Sequence, residues 1–126
     1  MGLDVHLYKK NTCKCPHCGG DVEIGHEEVY WANITHNLSK MASKVNVLHN
    51  TLHEYLWEPE GIDIKNSSDL VYPLTIGLAM LKDNPEYYKQ FDSPNGWGLY
   101  EHFVPFVERY LNACIENPDC DVYASR

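Results

Sequence analysis

Two polar segments of the chain carry side chains suited to holding a small polar ligand. The first, residues 32–42, reads ANITHNLSKMA, with Asn33, Thr35, His36 and Asn37 near its start. Amide and hydroxyl groups donate and accept hydrogen bonds without charge, and a histidine adds a donor that depends on pH. Helix capping would employ one of these residues but not the whole set. We therefore expect them to bind a ligand beside the first-turn N–H groups of a helix.

The second segment is the loop DSPNGWG at residues 92–98, which is followed closely by Tyr100. Gly96 and Gly98 allow backbone conformations closed to other residues, so Trp97 should project from a tight turn. An exposed indole is a stacking surface for a base or sugar ring, whereas the alternative is an indole that plugs the core. This segment completes the predicted ligand-binding set with Asn95, Trp97, Gly98 and Tyr100. We expect the two segments to face each other across one cleft.

Three of the five cysteines lie close together, in the sequence CKCPHCGG. In a reducing compartment this spacing favours metal binding over disulfides. The proline and glycine let backbone N–H groups turn toward the sulfurs, as in zinc knuckles. The predicted structural zinc site consists of Cys13, Cys15, Cys18 and His26. Other candidate ligands are His17, Cys114 and Cys120, and the alternatives are a segment without metal or a redox-active Cys-x-x-Cys pair.

The groups that could catalyse a reaction are His36 or His102 together with Glu101, which would suit a nucleotide hydrolase or transferase. His49 and His53 lie one helical turn apart, but the glutamate that follows the first histidine in metalloprotease helices is absent. We interpret this pair as two exposed histidines. Asn, Thr and Trp are poor nucleophiles and bases, and the sequence has no phosphate-binding loop. Binding is therefore favoured over catalysis.

The periodicity of apolar residues predicts the elements that must position these groups. Alternation predicts strands at 3–8 and 21–32, joined by the cysteine-rich turn (13–20), and a third strand in the closing CDVYASR. Apolar residues at intervals of three and four predict one continuous helix from about residue 34 to 57. Further helices are predicted at 69–82, 99–116 and, briefly, after Pro85. The fold class is α+β: a small antiparallel sheet from the N-terminal hairpin and C-terminal strand, packed with three to four helices.

The composition predicts a single globular domain, residues 1–126. The chain has 18 acidic and 10 basic residues, a formal charge of −8, and 44% hydrophobic residues. Generic nucleic-acid binding is disfavoured because it normally uses clustered Lys and Arg. The amino terminus lacks a signal-peptide pattern, and no apolar stretch approaches the ~20 residues that span a bilayer. We expect a cytosolic protein that does not associate with membranes.

The motifs NITHNL and NGWGLY, with the start MGLDV and the end VYASR, resemble those of a family of small proteins. These proteins recur in bacteriophages, prophages and some bacterial genomes, and the likeness spans most of the chain. The resemblance implies a phage-type protein in the host cytosol, and it draws attention to the same Asn, Thr and Trp positions. Cys13 and Pro105 depart from the family pattern, so the zinc site does not follow from the resemblance.

We expect a homo-oligomeric protein that binds a polar, nucleotide-like small molecule. In a phage setting the ligand would be a nucleotide-derived immune signal of the host, which the protein sequesters. A first alternative is an inhibitor that binds a host defence protein through an acidic, tyrosine-rich surface, since Tyr and Trp are common at the centres of interfaces. A second alternative is a nucleotide-processing enzyme.

Overall fold

The first strand forms the centre of an antiparallel sheet that joins both ends of the chain. The computed structural model of the protein describes residues 2–14, 16–17 and 19–126. Strand β1 (Gly2–Lys14) pairs with β2 (Asp21–Thr35) on one side and with β5 (Asp121–Ser125) on the other, giving the order β2-β1-β5. This confirms the predicted sheet, built from an N-terminal hairpin and a C-terminal strand.

Alternation over residues 3–7 of β1 gives the sheet two different faces. Leu3, Val5 and Leu7 are fully buried and define the inner face, whereas the residues between them are half-buried on the outer face. The inner face packs against the last helix, α5 (Tyr100–Glu116), because Tyr30 of β2 stacks on its buried Tyr110 with the ring centroids 5.9 Å apart. The helical layer therefore supplies the core on one side of the sheet.

The second half of the chain contains three helices, α3 (Ser68–Asp83), α4 (Pro85–Lys89) and α5 (Tyr100–Glu116). Helices α3 and α5 pack against each other and are the two long elements of the helical layer. Pro85 occupies the first turn of α4, where its missing N–H has no intrahelical partner to lose. None of the helices in the described part of the chain is long and apolar enough to cross a bilayer.

The predicted continuous helix from residue 34 to 57 is wrong. Strand β2 runs to Thr35, and a 3-10 turn, His36–Leu38, leads into the short helix α1 (Ser39–Ser43). A small hairpin and a second short helix complete the segment, namely β3 (Asn46–Val47), β4 (Asn50–Thr51) and α2 (Leu52–Trp57). The helices α1 to α5 thus exceed the three to four expected, while the α+β class is confirmed.

The apolar spacing in this segment reflects burial and not one helical stripe. Four of the apolar residues are buried but belong to different elements. Leu38 lies in the 3-10 turn, Met41 in α1, Val45 in the link after α1, and Leu52 in α2. Leu48 breaks the series, because it lies in the turn of the β3–β4 hairpin with a positive φ of 57° and is 57% exposed. A left-handed backbone at a leucine is incompatible with a continuous α-helix.

Candidate functional site

A cleft opens where the end of β2 meets the loop between α4 and α5. It has a volume of about 560 Å³ and is lined by Gly2, Asn33, Thr35, Asn37, Asn95 and Trp97. This volume lies within the range of small-molecule sites. The structure thus brings the two polar segments together as expected, although binding of a ligand there stays a prediction. Among the described residues, those lining the cleft carry no charge.

Asn33 is fixed on the outer face near the end of β2. It lies opposite Asp4 in the β1–β2 register, and its Nδ2 donates to the Asp4 Oδ1 at 2.8 Å and to the Leu3 carbonyl at 3.2 Å. These bonds engage the amide nitrogen, so the carbonyl oxygen of the side chain is the group that can accept a bond from a ligand.

Gly2 is required at the floor of the cleft by close packing. A Cβ atom at this position would lie 2.8 Å from the Ile34 carbonyl oxygen and 3.1 Å from the Asn33 Nδ2. Local residue patterns do not point to Gly2 as part of the site, because its position follows from the pairing of Gly2 with Thr35 at the end of the hairpin.

Thr35 and Asn37 shape the turn by which the chain leaves the sheet. Thr35 has an extended backbone, and its Oγ1 accepts a hydrogen bond from the Asn37 N–H at 3.3 Å. The Asn37 Nδ2 donates to the main-chain carbonyl of Trp97 at 2.7 Å, which joins the two walls of the cleft. The expected site at the N-terminus of a long helix is wrong, since only a three-residue 3-10 turn follows Thr35. The polar groups of the cleft are therefore mainly side-chain amides.

Hydrogen bonds within the loop at residues 92–98 hold Trp97 in place. The Asn95 Oδ1 accepts from the Ser93 hydroxyl at 2.6 Å and from the Trp97 N–H at 2.9 Å. The Ser93 N–H also donates to the Gly98 carbonyl at 3.0 Å, which closes the loop. Trp97 is 71% exposed at the tip, so the alternative of an indole plugging the core is wrong.

Gly98 acts by allowing a close approach and not by contacting the cleft. Its φ is 114°, and a Cβ atom would lie 2.8 Å from the Asn37 Cβ and 3.3 Å from the Thr35 Cγ2. Only glycine therefore lets the loop lie directly against the 3-10 turn.

His36 and Tyr100 face away from the cleft, so neither is among the residues that line it. The His36 Nδ1 accepts a hydrogen bond from the Trp57 Nε1 at 2.9 Å, which ties the turn to α2. The Tyr100 hydroxyl donates to the Leu81 carbonyl at 2.6 Å, and its N–H donates to the Asp92 Oδ1 at 2.7 Å. Burial raises the pKa of Tyr100 above 10.0. Both residues position the walls of the cleft.

The predicted zinc site falls largely outside the described residues. Cys15 and Cys18 are not described, and Cys13 is described only as a backbone position that pairs with Val22. His26 lies on β2 with its Nε2 3.9 Å from the Asp121 Oδ2. Among the side chains that are described, no three His, Cys, Asp or Glu residues form a metal-binding group.

The two cysteines proposed as alternative zinc ligands, Cys114 and Cys120, are buried and unpaired as thiols. Burial raises the pKa of Cys114 to about 12, with a further contribution from Cys120. Without a metal beside it, a thiol with so high a pKa stays protonated near neutral pH. Zinc bound by the N-terminal cysteines stays a prediction.

The groups considered for catalysis lie away from the cleft. His102 and Glu101 are exposed on α5, with the His102 Nε2 3.9 Å from the Glu101 Oε1. His49 is exposed, whereas His53 is half-buried and stacks on Trp57 with the ring centroids 5.0 Å apart. The interpretation of two exposed histidines is thus right for His49 only.

No family model, no curated protein and no solved structure matches the chain, so comparison with known proteins assigns no function to the cleft.

Proposed function

We propose that the protein binds a small molecule with a planar polar ring in the cleft between β2 and the loop at residues 92–98. The observation that carries the proposal is the arrangement of the 71% exposed Trp97 beside the side chains of Asn33, Asn37 and Asn95. An indole stacks on the face of a ring, while asparagine amides bond to its edge as donor and acceptor.

The ring chemistry that fits best is that of a nucleobase or nucleoside. Base–aromatic stacking is tolerant of the base. With the Asn33 Nδ2 and the Asn95 Oδ1 already bonded, the Asn33 Oδ1 supplies an acceptor and the Asn95 Nδ2 a donor for a base edge. A ligand held mainly by charge is disfavoured, because the described residues that line the cleft include no Lys or Arg. Sequestering of a nucleotide-derived host signal is the biological role that agrees with both this chemistry and the phage-family resemblance.

Binding is proposed in place of turnover because of the side chains that the cleft offers. Its polar groups are amides and one threonine hydroxyl, and a general acid or base would normally be His, Asp, Glu, Lys, Tyr or Cys. His36 bonds to Trp57 on the far side of its turn, so it does not supply this group.

A calorimetric titration tests the proposal with a panel of nucleosides, nucleoside monophosphates, cyclic nucleotides and ADP-ribose-type compounds. We expect at least one compound to bind, and Trp97→Ala to weaken it by about 1–3 kcal/mol, the usual contribution of one stacked base. Tyr72→Ala is the matched control, since Tyr72 is 63% exposed on α3 and away from the cleft. The proposal would be contradicted if no compound of the panel binds, or if Trp97→Ala binds as tightly as the wild-type protein.

A native mass spectrum of the purified protein complements this titration. It reports the number of subunits, any zinc carried by the N-terminal cysteines and any small molecule retained from the expression host. Loss of a retained molecule in Trp97→Ala, but not in Tyr72→Ala, would identify the ligand directly.

A further inference from the structure

An aromatic row crosses the outer face of the sheet next to the cleft. His6 of β1 lies directly opposite Trp31 of β2 on one side and Tyr123 of β5 on the other. Residues that are directly opposite in a sheet project from the same face. Trp31 is 56% exposed and Tyr123 is 54% exposed, so the row presents large aromatic surfaces to solvent.

Contacts on both sides hold the centre of this row in place. The His6 ring stacks on Tyr8 with centroids 5.7 Å apart and an interplanar angle of 9°, and it lies 5.7 Å from the Tyr123 ring. The His6 Nδ1 also forms a hydrogen bond with the Glu28 carboxylate. The His6 and Tyr123 part of the row therefore has little conformational freedom to lose when a ligand binds beside it.

The row and the cleft are parts of one continuous surface. Asn33, which lines the cleft, and Trp31, which ends the row, are separated by one residue on β2 and project from the same face. Their Cα atoms are therefore about 6.8 Å apart along the strand. The exposed indole of Trp31 is therefore the same-face neighbour of Asn33, which lies at the edge of the cleft.

We infer that the ligand of the cleft has two planar heteroaromatic rings joined by a flexible polar linker, as in a dinucleotide. One ring stacks on Trp97 in the cleft, and the linker passes Asn33. The second ring stacks on Trp31. This inference rests on the proposed function and extends it from a single ring to a two-ring compound.

The charged residues near this surface indicate whether it would attract a phosphate in the linker. Asp4 and Glu28 are the acidic neighbours of Asn33 and His6. Arg126 lies beside Tyr123, at the end of the row away from Asn33, and is paired with Glu60. The described residues that line the cleft include no Lys or Arg. A phosphate in the linker therefore faces solvent and contributes little to affinity. A long single-stranded nucleic acid is disfavoured for the same reason, because its binding depends on a cationic groove.

The experiment compares dinucleoside monophosphates with their single nucleosides by calorimetry. The probes are ApA, CpC, GpG and UpU against adenosine, cytidine, guanosine and uridine, with wild-type protein and the variants Trp31→Ala, Trp97→Ala and Tyr72→Ala. We expect at least one dinucleoside to bind at least about fivefold more tightly than its nucleoside, which corresponds to one added stacked base. Trp31→Ala should abolish this gain and leave nucleoside binding unchanged, whereas Trp97→Ala should weaken both.

The outcomes separate the inference from the proposed function. If a nucleoside binds through Trp97 but the dinucleosides bind no more tightly, or Trp31→Ala has no effect, the two-ring inference is overturned and the proposed function stands. If no compound binds, both fail. Raising the salt from about 50 mM to about 200 mM should change the dinucleoside affinity less than threefold, since phosphate-driven binding falls steeply over this range. A larger loss would contradict the solvent-facing linker.

Discussion

The side-chain amide of Asn37 donates a 2.7 Å hydrogen bond to the main-chain carbonyl of Trp97, and this bond joins the two walls of the cleft. Trp97 itself is 71% exposed and makes its other bond through its N–H to Asn95. The indole is therefore positioned through its backbone, which leaves the ring face available for stacking. Two segments that are remote in sequence thus form one site.

Replacing Asn37 with alanine should remove this connection. We expect the free energy of unfolding to fall by about 0.5–1.5 kcal/mol, the usual net contribution of one hydrogen bond. The loop at residues 92–98 should also exchange its amide hydrogens faster in Asn37→Ala. Asn46→Ala, at an exposed position of β3, is the control. Equal urea-unfolding midpoints for both variants would show that the bond does not hold the loop.

The glycines of the loop allow a test of the close approach between its end and the 3-10 turn. Gly96 and Gly98 both have positive φ, 76° and 114°, but an added Cβ at Gly96 meets nothing within 4 Å, whereas at Gly98 it meets the Asn37 Cβ at 2.8 Å. Gly96→Ala should cost about 1–2 kcal/mol from the left-handed backbone alone. Gly98→Ala should cost about 1–3 kcal/mol more, because the turn must shift.

Urea unfolding of the two glycine variants measures this difference. Gly98→Ala should also impair ligand binding, since it separates Asn37 from Trp97, while Gly96→Ala should have the smaller effect on both quantities. If the two variants are equally destabilised, the loop does not pack against the turn as described.

Burial of Cys114 should make the protein less stable at alkaline pH. Burial raises the pKa of its thiol from 9.0 to about 12, helped by the neighbouring Cys120. Above about pH 9 the unfolded chain loses the thiol proton but the folded protein keeps it, so the free energy of unfolding falls as the pH rises from about 9 toward 12. At about pH 10 the expected loss is up to about 1.4 kcal/mol.

Unfolding in urea at about pH 8 and about pH 10 measures this loss, and Cys114→Ala provides the comparison. The variant lacks the ionising group, so its stability should fall less between the two pH values than that of the wild type. An equal fall in both proteins would mean that other groups, such as the buried Tyr110 whose pKa is also raised by burial, account for the effect.

Five of the residues that line the cleft could be predicted from the sequence because they belong to unusual local residue patterns, whereas the predicted His36, Gly98 and Tyr100 do not line it. Three asparagines, a threonine and a glycine-flanked tryptophan form two short segments with an unusual density of uncharged polar groups. Gly2 and the row of Trp31, His6 and Tyr123 could not be predicted in the same way, since their placement depends on strand register. The register shift between Leu7 and Tyr8 illustrates the difficulty, because a single bulge changes which residues share a face.

The sheet could be predicted because its apolar pattern has one structural interpretation, whereas the pattern of residues 34–57 has two. Strand alternation has a period that few other structures produce, and the three predicted strands are present. In contrast, apolar residues at intervals of three and four also arise when short helices and a hairpin each bury one or two side chains. The positive φ of Leu48 is what separates the two cases, and no residue type at that position signals it.

Substitution of Thr51 tests whether the helix predicted for residues 34–57 is interrupted, because the two structures predict opposite changes in the free energy of unfolding. In the structure Thr51 is the N-cap of α2: its Oγ1 accepts from the Glu54 N–H at 3.4 Å, and the Glu54 Oε1 accepts from the Thr51 N–H at 3.2 Å. Thr51→Ala should therefore lower the free energy of unfolding by about 0.5–2 kcal/mol. In a continuous helix the same substitution would be stabilising, because alanine is the better helix former.

Thr75→Ala is the matched control for this experiment. Thr75 lies inside α3, is exposed, and its hydroxyl donates back to the Val71 carbonyl at 2.6 Å. Alanine there should leave stability unchanged or raise it by a few tenths of a kcal/mol, roughly the propensity difference. A helix that begins at Leu52 predicts that urea unfolding shows a loss of stability for Thr51→Ala and no loss for Thr75→Ala. A Thr51→Ala variant that is as stable as Thr75→Ala would favour the uninterrupted helix, and with it a different entry to the cleft.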